Sequence, residues 1–195
     1  MRPIAAGYDM YPGYPDNRHL VPAPLRPVQA FANSVDREHG FEGLASPDDL
    51  SRLLRDFALP GSDAELTEAG LTSARAVREA ICDLFVARAG GRAATETMAL
   101  IEDTAHAGRL AVRVEAGEPR LVATASGLDG ALGTLVARVQ TAATDGSLRR
   151  LKACRRDCCH WLFWDASPPT TAVWCSMTVC GNRMKVRRHR DKATA

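Results

Sequence analysis

The 195-residue chain predicts an α+β fold that is mostly helical: a helical body with one β-hairpin, followed by a small C-terminal metal-binding module. Three observations predict it. Apolar residues recur at helical spacing in several segments between 28 and 143. One stretch, 110–124, alternates like paired strands around a Gly-containing turn. Five of the six cysteines crowd into residues 154–180. The organisation read from these is an extended arm over 1–25, a helical domain over 26–148 and a zinc-binding module with a basic helix over 149–195.

The arm holds Tyr8, Tyr11 and Tyr14 among five prolines, and proline denies it regular helix. Val28 to Val35 is a short apolar segment, expected as a helical turn entering the core. Ser46-Pro47-Asp48-Asp49 is a helix start: a Ser cap, Pro at the first position and acids in the first turn. Leu50, Leu53, Leu54 and Phe57 continue it, and Pro60-Gly61 ends it. The next helix is expected from about Ala64 to Arg88, with Leu71, Ala74, Val77, Ile81, Leu84 and Phe85 on one face; Gly90-Gly91 stops it. Thr95 to Ala107 reads as a third helix. Leu110–Glu115 and Arg120–Thr124 read as a hairpin turning at 116–119. Leu128, Leu132, Leu135, Val136 and Val139 mark a final long helix of the body.

Composition excludes some classes. Apolar content of 46% supplies a core, no run of eighteen apolar residues predicts a membrane span, and the first residues lack a secretory apolar block. The expectation is a soluble, cytoplasmic protein. Net charge is +2 but unevenly divided: from Arg149 onward eleven Lys/Arg face three Asp, leaving an acidic remainder. A basic end on an acidic body fits contact with nucleic acid, and equally attraction between the two halves.

Clustered cysteines in a cytosolic chain bind metal more often than they form disulfides. Cys154-x4-Cys159 and Cys175-x4-Cys180, fifteen residues apart, suit a tetrahedral four-thiolate zinc site, structural rather than catalytic because no coordination position stays open. The spacer is long enough for a hairpin. Cys158 competes with Cys159, and His160 with either. Trp161, Leu162, Phe163, Trp164 and Trp174 are expected to form a miniature core beside the metal. Cys82, in an apolar helical pattern, is expected as an inert buried thiol. Ser176 is placed to cap a helix from Met177 to about His189, presenting Arg183, Arg187 and Arg190 on one face, where they could meet phosphates or a major groove.

The segment Cys154-x4-Cys159-His160-Trp161-x-Phe163-x-Asp165-x-Ser167, with Trp174-Cys175-Ser176-Met177-x2-Cys180-Gly181-Asn182-Arg183-x-Lys185, resembles the CGNR zinc finger. Phe31-x-Asn33-Ser34 and Leu44-x-Ser46-Pro47-x-Asp49-Leu50 resemble, more loosely, the ABATE domain that precedes that finger. The resemblance implies a bacterial stress-responsive transcription regulator with a treble-clef-like finger. It implies Cys154, Cys159, Cys175 and Cys180 as the zinc ligands, which favours Cys159 over Cys158. The finger would bind DNA through Arg183, Lys185, Arg187, Arg188 and Arg190, and the helical domain would sense an effector. One departure weakens the DNA expectation: where the family carries a basic loop, this chain has the uncharged Pro168-Pro169-Thr170-Thr171-Ala172-Val173, and affinity depends steeply on the number of phosphate contacts.

A competing reading keeps the finger as a structural staple on a body that binds or converts a small molecule, with Tyr8, Tyr11, Tyr14, Phe31 and Asn33 as its pocket. No catalytic triad or acid–base pair is recognisable; Glu102 and Asp103 are helix neighbours that point apart. A third reading is an interaction adaptor, a homodimer through the helical body.

Overall fold

A computed structural model describes residues 21–91 and 95–193; the expectations for Tyr8, Tyr11 and Tyr14 lie outside the described residues. The body is an assembly of five helices: α1 (Arg26–Ala32), α2 (Pro47–Asp56), α3 (Glu68–Arg88), α4 (Thr95–Ala107) and α5 (Gly127–Thr144). Strands occur only as two-stranded antiparallel ribbons among the described residues: β1 (Val35–Asp36) with β2 (Phe41–Glu42), β3 (Leu110–Glu115) with β4 (Glu118–Ala123), and β5 (Leu151–Ala153) with β6 (Leu162–Trp164). A last helix, α6 (Asn182–Ala193), ends the described chain.

Local chemistry sets the helix starts. The Ser46 hydroxyl accepts from the Asp49 N–H while the Asp49 carboxylate accepts from the Ser46 N–H, a reciprocal capping box with Pro47 just inside. Helix α3 begins four residues later than its hydrophobic pattern predicts. Thr67 is the cap, its hydroxyl accepting from the Gly70 N–H at 3.1 Å, and Gly61–Ala64 is spent on a turn. Helix α1 stops at Asn33, and Val35-Asp36 pairs with Phe41-Glu42 instead of extending the helix. The β3–β4 hairpin pairs Leu110 with Ala123 through Glu115 with Glu118. Its Val112 and Val114 side chains are exposed.

Helices α3, α4 and α5 pack on one another, and α1 lies against α3 and α5. Val28, Phe31, Leu50, Leu54, Leu71, Ile81, Phe85 and Leu135 fill the centre, all essentially inaccessible. Where α5 crosses the end of α4, a Cβ on Gly108 would stand 2.7 Å from the Gly133 Cα. Only two glycines let the backbones approach this closely. Among the polar residues buried in the body is Arg78, whose guanidinium donates to both Glu42 oxygens at 2.6 and 2.7 Å and to Ser34 Oγ at 3.1 Å. Cys82 is buried as expected. Its Sγ lies 3.6 Å from the Ala32 carbonyl, and burial pushes the thiol up to about 11.

The main core does not end with the body. Leu148, Leu151, Ala153 and Leu162 belong to it, so the β5–β6 ribbon is packed against α1 and α3. No helix among the described residues is long and apolar enough to cross a membrane.

Candidate metal centre

The C-terminal module is built as a knuckle, a ribbon and a helix. Strand β5 leads into Cys154, the chain turns through 155–158, Cys159 follows, and β6 returns antiparallel, pairing Leu151 with Trp164 and Ala153 with Leu162. The hairpin therefore encloses the first cysteine pair. The sequence reading put a hairpin in the fifteen-residue spacer; there only 162–164 is strand. Pro168 and Pro169 lack the N–H groups a ladder needs. The second pair sits at the start of the terminal helix. Ser176 Oγ accepts from the Val179 N–H at 3.2 Å, as a cap should. The first turn, Met177–Gly181, is wide, with the Gly181 N–H reaching back to the Ser176 carbonyl at 2.9 Å. Helix α6 then runs to Ala193, past the expected end at His189. A Cβ on Gly181 would meet the Met177 sulfur at 2.8 Å, so this position admits only glycine without a shift.

The sulfurs of Cys154, Cys159, Cys175 and Cys180 converge, all within 4.8 Å of one another and all buried. Cys159 and Cys175 are 3.7 Å apart, Cys175 and Cys180 3.6 Å. A tetrahedral ion with Zn–S bonds of about 2.3 Å requires sulfur–sulfur edges of about 3.8 Å, so the donor set fits zinc. The neighbouring sulfurs of Cys154, Cys159 and Cys180, and then burial, push the Cys175 thiol far above its ordinary range. Four thiolates this close cannot all be charged without a cation, and zinc supplies it by displacing their protons. Cys158 is exposed, and His160 is not among the converging groups.

Around the cluster, Trp161 and Phe163 are buried and Ala172, Trp174 and Val179 pack on them, while Leu162 and Trp164, expected in the same miniature core, belong instead to the main core because β6 turns their side of the ribbon to the body. The uncharged loop is held by an ion pair between half-buried Lys152 and buried Asp165. Lys152 Nζ donates to Asp165 Oδ2 at 2.7 Å and to the carbonyls of Thr170 and Ala172. Asp165 also accepts from the N–H groups of Ser167 at 3.0 Å and Ala172 at 2.9 Å. Burial pushes the Asp165 carboxyl up, but Lys152, Ser167 and Ala172 outweigh it and hold it at about 2. A carboxylate depressed in the folded state contributes stability above its unfolded pKa, about 3.9, and loses it as pH falls through the folded value. Asp165→Asn is therefore expected to cost about 2 kcal/mol at pH 7. In urea titrations of the zinc-loaded protein, the deficit should be the same at pH 5 and narrow only below about pH 4.

Two contacts escaped the sequence reading. The Asp36 carboxylate accepts from the N–H groups of Glu38 at 2.9 Å and His39 at 3.1 Å, shaping the turn between β1 and β2. That turn carries Glu38 to the finger, where its carboxylate pairs with Arg156 in the knuckle and with Arg183 at the start of α6. Asn33 forms the second contact. Its amide oxygen accepts from the Leu162 N–H and its nitrogen donates to the Leu162 carbonyl, both at 2.8 Å. Asn33 is thus occupied in joining body to finger, and Phe31 lies fully inside the core. Of the expected DNA-contacting residues, Lys185, Arg187 and Arg190 are exposed on α6. Arg183 is paired with Glu38, and the Arg188 side chain lies outside the described set.

A helical body with a treble-clef finger closed by four thiolates defines a zinc-finger protein with a structural metal. The family model ABATE, described as "Putative stress-induced transcription regulator", matches residues 25–155, and the CGNR zinc finger model matches residues 150–193. The chain belongs to the ABATE family and carries a CGNR zinc finger. The two matches overlap on β5, the strand that structurally belongs to both halves. No curated protein matches the chain.

Proposed function

We propose that this protein is a zinc-dependent, DNA-binding transcription regulator whose helical body senses a ligand. The observation that carries the reading is the basic helix α6, fixed at its first turn by Cys175 and Cys180 and presenting Lys185, Arg187 and Arg190 outward. Arg187 is paired only loosely, 3.6 Å from Asp157 with both side chains largely exposed. Such surface pairs contribute little and yield readily to phosphate. Arg183 spends charge on Glu38, so its part in the reading is to fix how α6 leaves the body, with Arg188 as a further backbone contact.

The test is binding of the zinc-loaded full chain to duplex DNA across a salt series. Each neutralised phosphate adds about 0.9 to the slope of log K against log salt. Arg187→Ala combined with Arg190→Ala should weaken binding at every salt concentration and flatten the slope by about 2. An unchanged slope in the double variant, with zinc still bound, sinks the reading.

A further inference from the structure

Between the C-terminal end of α3, strand β5 and the 168–173 loop lies a cavity of about 310 Å3, at the lower end of the usual size for small-molecule sites. Its floor is apolar: Phe85, Leu148, Leu151 and Ala153, each buried. Its rim is cationic: Arg88, Arg149, Lys152 and Arg155 line it, and no carboxylate does. Lys152 is neutralised by Asp165. Arg149 donates to the Gly146 carbonyl, and among the described residues Arg88, Arg149 and Arg155 have no acidic partner. Thr170, Thr171, Ala172 and Val173 line the remaining side.

We propose that this cavity binds a small organic anion, a carboxylate or phosphate on an apolar, aromatic-sized body. Three guanidiniums with no acidic partner among the described residues gather at one mouth and repel one another, and an anion relieves that repulsion while accepting paired N–H bonds. The buried floor beside Phe85 takes the apolar part, which a bare inorganic ion or a DNA phosphate does not supply. The uncharged loop acquires a purpose here. A basic loop at 168–173 would add cations for DNA; here its second half, Thr170-Thr171-Ala172-Val173, instead walls a binding site. No residue is shared with the basic face of α6. The inference takes up the ligand-sensing half of the function proposed above, and it is testable without DNA.

The experiment is calorimetric titration of the zinc-loaded full chain with phenyl phosphate, against benzyl alcohol and inorganic phosphate as controls. Phenyl phosphate should bind, with both controls at least tenfold weaker. Arg88→Ser combined with Arg155→Ser should weaken phenyl phosphate at least tenfold. Both side chains are exposed, so folding is retained, and zinc content checks it. Thr171→Trp, which keeps every cation but obstructs the mouth, should weaken it similarly. Arg187→Ala with Arg190→Ala should leave it unchanged. Absence of phenyl phosphate binding, equal binding of inorganic phosphate, indifference to the Arg88/Arg155 and Thr171 changes, or loss in the α6 variant would each overturn the assignment. Failure of DNA binding alone would not touch it.

Discussion

Cys180→Ser is expected to release the metal and melt the C-terminal helix while the body stays folded. Cys180 is fully buried at the base of α6 and its sulfur is one corner of the cluster. A hydroxyl is a poor substitute for a thiolate on zinc, and the affinity should fall roughly a thousandfold, about 4 kcal/mol. The consequence for order follows from what else holds α6. It has twelve residues, and none of its described side chains is buried. An isolated helix of that length is marginal in water, and the Arg183–Glu38 pair holds it only at its start, so its order comes chiefly from the metal-tethered turn before it. Loss of far-UV helical signal equivalent to α6 and the turn before it, with rapid tryptic cleavage within 183–190, is the expected result. The β5–β6 ribbon should persist, because Leu151, Ala153 and Leu162 are anchored in the main core. Metal-free protein that retains its full helical signal and protects α6 would show that side-chain packing, not zinc, orders this end.

The cluster was legible because thiol chemistry is local: four residues of one rare type at equal short spacing leave few alternatives. Helix α2 was legible for the same reason, since Ser46, Pro47 and Asp49 specify their own turn. The start of α3 was not, because the apolar pattern runs on through residues that Thr67 caps off. The β1–β2 ribbon left no pattern in two-residue strands. Glu38 was invisible for a different reason. Its partners lie 118 and 145 positions away, and nothing in the surrounding sequence marks a surface glutamate as the clasp on Arg156 and Arg183. Asn33 shows the intermediate case. Its presence in a motif drew attention, but the sequence suggested a ligand pocket where the structure uses it to hold a strand.

Asn33→Ala should be damaging out of proportion to the few atoms it removes. Leu162 is completely buried, and its N–H has Asn33 as its acceptor. The carbonyl of Leu162 has a second donor, Gln29 Nε2 at 3.1 Å, and would stay satisfied. Truncating Asn33 therefore orphans one buried donor and removes two hydrogen bonds that bind β6 to α1. Leaving a buried donor unsatisfied costs about 1–3 kcal/mol and the second lost bond about 1 kcal/mol, so the total should be about 3 kcal/mol. For a chain of this size that corresponds to a fall in Tm of about 6–12 °C. Gln29→Leu is the informative contrast. It removes one donor from a carbonyl that Asn33 still serves, and should cost only about 1 kcal/mol. If the two variants lose equal stability, the Leu162 N–H is finding another partner, and the amide of Asn33 is not what fastens the finger to the body.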